Sequence, residues 1–217
     1  MDSIEGFILT GGQSRRMGTD KSQLVIDGVS FVERIACELA IVASSATIVG
    51  KGAESLVKDE GIPSGQGQQT SQPSIRWVPD VYPDWGALGG VHAALSACAA
   101  VWALIVGCDF PFVTSELFAR LASFAEDSEA VAPIQSDGIP QPLCALYRVE
   151  PCLGRAEQRI KSGERKPIAL LQSVRTRWVS FDELRNLEGA DHFFDNINTP
   201  KDYARAKGVA TEDVAMS

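Results

Sequence analysis

Val101-Trp102-Ala103-Leu104-Ile105-Val106 runs directly into Gly107-Cys108-Asp109-Phe110-Pro111-Phe112. The first six residues are apolar at every position instead of at alternate ones. That is the pattern of a strand buried on both faces of a sheet. A glycine and an aspartate at its end put a carboxylate at the carboxyl edge of that sheet, where open α/β folds bind their ligands.

Working outward, short apolar runs alternate with helical periodicity. Gly6-Phe7-Ile8-Leu9 is a compact strand that ends before Gly11-Gly12. From Ser30 to Val42, residues Phe31, Val32, Ile35, Ala36, Leu39 and Val42 share one helical face. Thr47-Ile48-Val49 and Ile75-Arg76-Trp77-Val78 read as further strands, and Gly90 to Ala100 as a small-residue helix lying close on a sheet. Thr114 can cap a helix with Glu116 in its first turn and Leu117, Phe118, Leu121 and Phe124 facing inward. This alternation predicts an α/β fold, a mostly parallel sheet with helices on both faces.

The 217 residues suffice for one substantial core and are too few for two ordinary enzyme domains. A single domain over 1–207 is expected, with a polar insertion at about 52–74 and a loose tail at 208–217. Between Gly61 and Ser74, Ile62 is the sole aliphatic residue, too little apolar area to offset the entropy of ordering, so a mobile surface loop is expected there. No apolar run approaches the roughly 20 residues of a membrane span. Met1-Asp2-Ser3-Ile4-Glu5 carries acids where a secretory leader needs bases, so a soluble, cytoplasmic protein is expected. A formal charge of −8 argues against a general nucleic-acid binder but leaves room for one small polyphosphate ligand. Cys37, Cys98, Cys108, Cys144 and Cys152 form no C-x-x-C pair, and reading them as small hydrophobes suffices.

Four segments carry chemistry. In Thr10-Gly11-Gly12-Gln13-Ser14-Arg15-Arg16-Met17-Gly18-Thr19-Asp20-Lys21, glycines after a buried strand let backbone amides approach phosphate oxygens. Arg15, Arg16 and Lys21 add the charge a triphosphate requires. The segment matches neither the P-loop nor the dinucleotide-binding glycine pattern. Asp109 either caps a turn before Pro111 or holds Mg2+, a hard cation that prefers oxygen ligands and bridges phosphates. Its place beside the glycine loop tips the reading toward the metal. In Val78-Pro79-Asp80-Val81-Tyr82-Pro83-Asp84-Trp85-Gly86, Asp80 follows a strand, although Pro, Asp and Gly are also what an ordinary loop contains. Asp84 reads as solvated loop charge. In Phe194-Asp195-Asn196-Ile197-Asn198-Thr199-Pro200, Thr199 caps a helix that Pro200 begins, which leaves Asn196 and Asn198 without a structural role. His92 reads as packing or capping, and neither it nor His192 forms a nucleophile–base pair in the sequence.

With these segments in place, the chain resembles the molybdenum cofactor guanylyltransferases, of the nucleotide-diphospho-sugar-transferase type. The resemblance covers about residues 5–207. It rests on Leu9 to Lys21, on Pro79-Asp80 with Gly86-Ala87-Leu88-Gly89, on Cys108-Asp109-Phe110-Pro111, and on Phe194 to Pro200. It implies a three-layer, Rossmann-like fold in which Leu9, Thr10, Gly11 and Gly12 line the guanine nucleotide. Lys21 and Arg16 would then contact phosphates, Asp80 the nucleotide, and Asp109 the Mg2+, with Asn196 and Asn198 on the second-substrate side. Thr10 stands in place of the family's alanine, Ala87 in place of a proline, and Gly50-Lys51 where an asparagine contacts the nucleotide. The implied reaction is GMP transfer from GTP to the terminal phosphate of a molybdopterin-type cofactor, with release of pyrophosphate. Cofactor-insertion proteins or molybdoenzymes would be further partners. Alternatives are a relative that uses another NTP, such as a cytidylyltransferase acting on the same cofactor or on a sugar or alditol phosphate, and a non-catalytic cofactor-binding protein.

Overall fold

The computed structural model describes residues 2–10, 24–50, 75–83 and 85–215, with backbone alone at Ile75 and beyond Lys207. Its centre is a seven-stranded sheet. The strands are β1 (Ile4–Leu9), β4 (Ala46–Val49), β5 (Ile75–Val78), β6 (Trp102–Gly107), β7 (Ala130–Pro133), β8 (Cys144–Arg148) and β9 (Thr176–Val179). They lie in the order β5-β4-β1-β6-β8-β7-β9. A separate hairpin joins β2 (Val25–Ile26) to β3 (Val29–Ser30). The helices are α1 (Phe31–Val42), α2 (Gly86–Ala97), α3 (Ser115–Ser123), α4 (Val149–Lys161), α5 (Pro167–Leu171) and α6 (Pro200–Ala215).

Strands β5, β4, β1 and β6 are all parallel, and β7 pairs parallel with β9. β8 pairs antiparallel with both β6 and β7, so it alone among the strands of this sheet runs the other way. The expected mostly parallel sheet is therefore found, with one reversed strand inserted beyond β6.

Strand side chains alternate between faces, and the core divides accordingly. Ile4 and Ile8 of β1 and Trp102, Leu104 and Val106 of β6 pack with α1 and α3. Phe7 and Leu9, with Ala103 and Ile105, pack with α2, α4 and α5. Helices thus cover both faces of the sheet, giving three layers. This explains the unbroken apolar run of β6, whose six residues are all buried.

Local signals set the helix starts. Ser30 Oγ accepts from the Glu33 amide while the Glu33 carboxylate accepts from the Ser30 amide, a capping box worth about 1 kcal/mol. Thr114 Oγ1 accepts from the Leu117 amide at the start of α3. α2 begins at Gly86, ahead of the Gly90 read from the sequence, because the Leu88 amide finds the Arg165 carbonyl at 3.3 Å. α6 continues to Ala215, past the Lys207 at which the sequence suggests a loose tail. α4 went unread because its buried stripe is only Cys152, Ala156 and Ile160. No described helix is long and apolar enough to cross a membrane. The insertion at about 52–74 lies outside the described residues.

Candidate active site

Because β5, β4, β1 and β6 are parallel, their carboxyl ends share one edge of the sheet, and Leu9, Thr10, Asp80 and Asp109 fall there. Leu9 stands opposite Val49 and Gly107 in the register of the sheet. The Leu9 carbonyl accepts from the Cys108 amide at 3.0 Å. The Thr10 amide and its hydroxyl both donate to the Val49 carbonyl, at 2.9 and 3.1 Å. Both donors of Thr10 are thus committed to the neighbouring strand. The hydroxyl thereby secures the strand end.

Asp80 follows β5 and is half-buried. Its carboxylate, the Leu9 side chain and α2 meet at Gly90: a Cβ there would lie 3.3 Å from Leu9 Cδ1 and 3.8 Å from Asp80 Oδ1. The absence of a side chain at Gly90 lets α2 lie against the end of β1 beside this carboxylate.

Asp109 is half-buried in the turn after β6, which is closed by the Phe110 amide on the Gly107 carbonyl at 3.2 Å. The Gly107 amide donates to the Leu143 carbonyl at 2.8 Å, anchoring the turn to the chain entering β8. A Cβ on Gly107 would stand 2.6 Å from Asp109 Oδ1. The carboxylate therefore folds back over the strand end into space that only glycine leaves open.

The asparagine segment arrives from the far end of the chain. The Ile197 amide donates to the Asp109 carbonyl at 3.1 Å, and the Phe110 and Phe194 rings meet edge to face at 6.4 Å. Asn198 Nδ2 donates to Asn196 Oδ1, so the two amides point to the same side. Behind them, the Asp202 carboxylate accepts from the amides of Asn198 and Thr199 and from the Thr199 hydroxyl, at 3.2, 2.9 and 2.8 Å. These bonds, the Thr199 hydroxyl first, hold the Asp202 carboxyl below its ordinary value. Asp195 accepts from His192 Nδ1 at 3.0 Å and lies 3.7 Å from the Arg205 guanidinium. Asp202 and Ile197 went unread in the sequence. A signal for Asp202 was present: an acid three residues after a Thr cap completes a capping box.

A further element reaches this side of α2. Trp85 Nε1 donates to the Glu164 carbonyl at 2.8 Å, and the Arg165 guanidinium stacks 5.0 Å from the Trp85 ring. The Gly86-Ala87-Leu88-Gly89 segment is thereby fastened to the chain between α4 and α5.

The structure thus brings Leu9, Thr10, Asp80, Asp109, Asn196 and Asn198 to one edge. Gly11, Gly12, Arg15, Arg16 and Lys21 lie outside the described residues, as do Lys51 and Asp84. The five cysteines are free thiols. Burial pushes Cys98, Cys144 and Cys152 up to about 12, so they remain neutral, and Cys108 is packed in the core. His92 is buried in α2 against Tyr82, ring centroids 4.9 Å apart, and burial lowers its basicity. It is a packing residue. Among the described residues no three or more His, Cys, Asp and Glu side chains group to hold a metal ion.

A three-layer sheet with these groups at its carboxyl edge is the architecture of the nucleotidyltransferases of nucleotide-diphospho-sugar-transferase type. The fold matches the crystal structure of molybdopterin-guanine dinucleotide biosynthesis protein A from Archaeoglobus fulgidus with a TM-score of 0.77 at 24% identity, covering 96% of this chain and 99% of that one. Residues 6–176 match the MobA-like NTP transferase domain, and the chain belongs to that family. A probable molybdenum cofactor guanylyltransferase from Pelotomaculum thermopropionicum is 33% identical over 205 residues, 94% of this chain and 92% of the relative. The molybdenum cofactor guanylyltransferase of Vibrio cholerae is 30% identical over 202 residues, 91% of this chain and 88% of the relative. The protein is a nucleotidyltransferase enzyme.

Proposed function

We propose that this enzyme transfers GMP from GTP to the terminal phosphate of a molybdopterin-type cofactor. An oxygen of that phosphate attacks the α-phosphorus of GTP, the bond to the β-phosphate breaks, and pyrophosphate leaves. The guanine dinucleotide form of the cofactor is the product. The observation that carries this reading is the hydrogen bond between the Ile197 amide and the Asp109 carbonyl. It joins the asparagine segment of the guanylyltransferase-like pattern to the main chain of the turn that bears Asp109. The relatives of 30 and 33% identity that bear the guanylyltransferase name support the same substrates.

Displacement at phosphorus needs alignment and charge neutralisation more than a protein nucleophile. We assign Leu9, Thr10, Gly11, Gly12 and Asp80 to the nucleotide, and Arg16 and Lys21 to its phosphates. Asn196 and Asn198 present two linked amides on the Asp109 side, suited to orienting the second substrate.

We assign Mg2+ to Asp109. A half-buried carboxylate at Asp109, at the carboxyl end of β6, suits a hard cation that takes its remaining oxygens from substrate phosphates and water. Held there, Mg2+ would neutralise charge that develops on the transferring phosphoryl group.

The test is pyrophosphate release with the molybdenum cofactor and each of GTP, ATP, CTP and UTP, with and without Mg2+. GTP with Mg2+ is expected to be the productive combination, and Asp109→Ala to abolish release. Transfer from CTP in preference to GTP, or full activity of Asp109→Ala, would overturn the assignment.

A further inference from the structure

Apart from the two cores on either face of the sheet, the molecule holds a third. Leu24, Ile26, Phe31, Ile197 and Ala206 are buried together, with Phe112 and Tyr203 packed against them. Its members come from three places: the β2–β3 hairpin with the first residue of α1, the segment between Asn196 and Asn198, and α6. Tyr203 strengthens the joint, meeting the Phe31 ring edge to face at 6.1 Å and donating its hydroxyl to the Val25 carbonyl at 2.5 Å.

Ile197 is 1% exposed, whereas Asn196 is half-buried and Asn198 exposed. Ile197 is thus anchored in the small core while the asparagines on either side of it stay nearer the surface. The same residue donates its amide to the Asp109 carbonyl. One residue, through its side chain and its amide, therefore connects the hairpin that follows the glycine loop in sequence, the two asparagines and the Asp109 turn.

We propose that Ile197 is a positioning residue for nucleotidyl transfer: it sets the Asn196–Asn198 pair against the Asp109 turn through its anchored side chain and its amide. This assignment rests on the nucleotidyl-transfer reading of the site. Both ends of the segment are pinned independently, by Asp195 with His192 and by Asp202 at the start of α6. Shortening Ile197 leaves those ends in place and lets the centre of the segment drift.

The experiment compares Ile197→Ala and Ile197→Val with Leu121→Ala, which opens a cavity in the α3 side of the main core. A misplacement near 1 Å lowers turnover by about 10- to 100-fold, so Ile197→Ala is expected to lose that much in kcat with its KM for GTP changed by less than about 3-fold. Ile197→Val should recover most of the loss. Leu121→Ala should lower Tm and keep its kcat. Unchanged kcat in Ile197→Ala, or an equal loss in Leu121→Ala, overturns the proposal.

Amide hydrogen exchange of the same proteins without substrate separates this inference from the assigned reaction. Faster exchange across 107–113 and 24–31 in Ile197→Ala, and not in Leu121→Ala, supports the coupling even if wild-type protein fails to release pyrophosphate from GTP. Unaltered exchange in both segments rejects it.

Discussion

The Asp109 turn and the Asn196–Asn198 segment meet at one hydrogen bond but are built by opposite means. The first is held by main chain: sheet pairing of β6, the Gly107 and Phe110 amides, and the space left at Gly107. The second belongs to no strand and is held by side chains, Ile197 in its small core, Asp202 beneath two amides, and Asp195 beside His192 and Arg205. A site wall made of backbone tolerates change in most side chains near it and fails where a side chain is added. A wall made of side chains weakens at each anchor in turn.

Gly107→Ala tests the first half of this comparison and has the largest expected effect. The new Cβ collides with the far end of a flexible side chain, Asp109 Oδ1, so the fold can give way cheaply by moving the carboxylate. Stability should fall by no more than about 1 kcal/mol, while kcat in pyrophosphate release should fall by about 100-fold because the carboxylate is displaced. A variant that keeps full turnover would show that the position of Asp109 is not critical.

Asp202→Ala tests the second half. It removes a cap and three accepted hydrogen bonds, and should cost about 1 kcal/mol, read as a lower midpoint in urea unfolding. The effect has a pH signature. The folded carboxyl lies below its ordinary value, so its contribution is fully present above about pH 4 and disappears as the pH falls through the folded value. The stability gap between wild type and Asp202→Asn should therefore be constant from pH 7 to about pH 5 and narrow as the pH falls below about 4. A gap that widens on acidification would contradict the role of the charged carboxylate.

The smallest effect is expected at Asp195→Asn. Its partners His192 and Arg205 are substantially exposed, and pairs of this kind contribute about 0–1 kcal/mol. A shift in Tm beyond about 5 °C would make this pair a principal anchor of the segment instead of a minor one.

The legible parts of the fold were those whose cause is local. Full burial of Trp102–Gly107 follows from an uninterrupted apolar run, the start of α1 from Ser30 and Glu33, and that of α3 from Thr114. The reversed strand β8 and helix α4 were not legible. Cys144-Ala145-Leu146-Tyr147 has nothing in its composition that fixes strand direction, and α4 shows only a thin apolar stripe. In the site, Asp80 and Asp109 could be found because a carboxylate after a strand in a parallel sheet must lie at its carboxyl edge. Asp202 was masked by Thr199 and Pro200, which account for the helix start without it.

The residue order by itself determined the strand ends, the carboxylates placed at them and the glycines beside them, because periodicity and turn chemistry act over a few residues. Tertiary structure alone decided that Ile197 meets Asp109, that Leu9 and Asp80 converge at Gly90, and that α6 closes a third core on the β2–β3 hairpin. Those contacts join residues far apart in the chain. They arise from which apolar faces remain to be covered and which amides still need an acceptor once the sheet has formed.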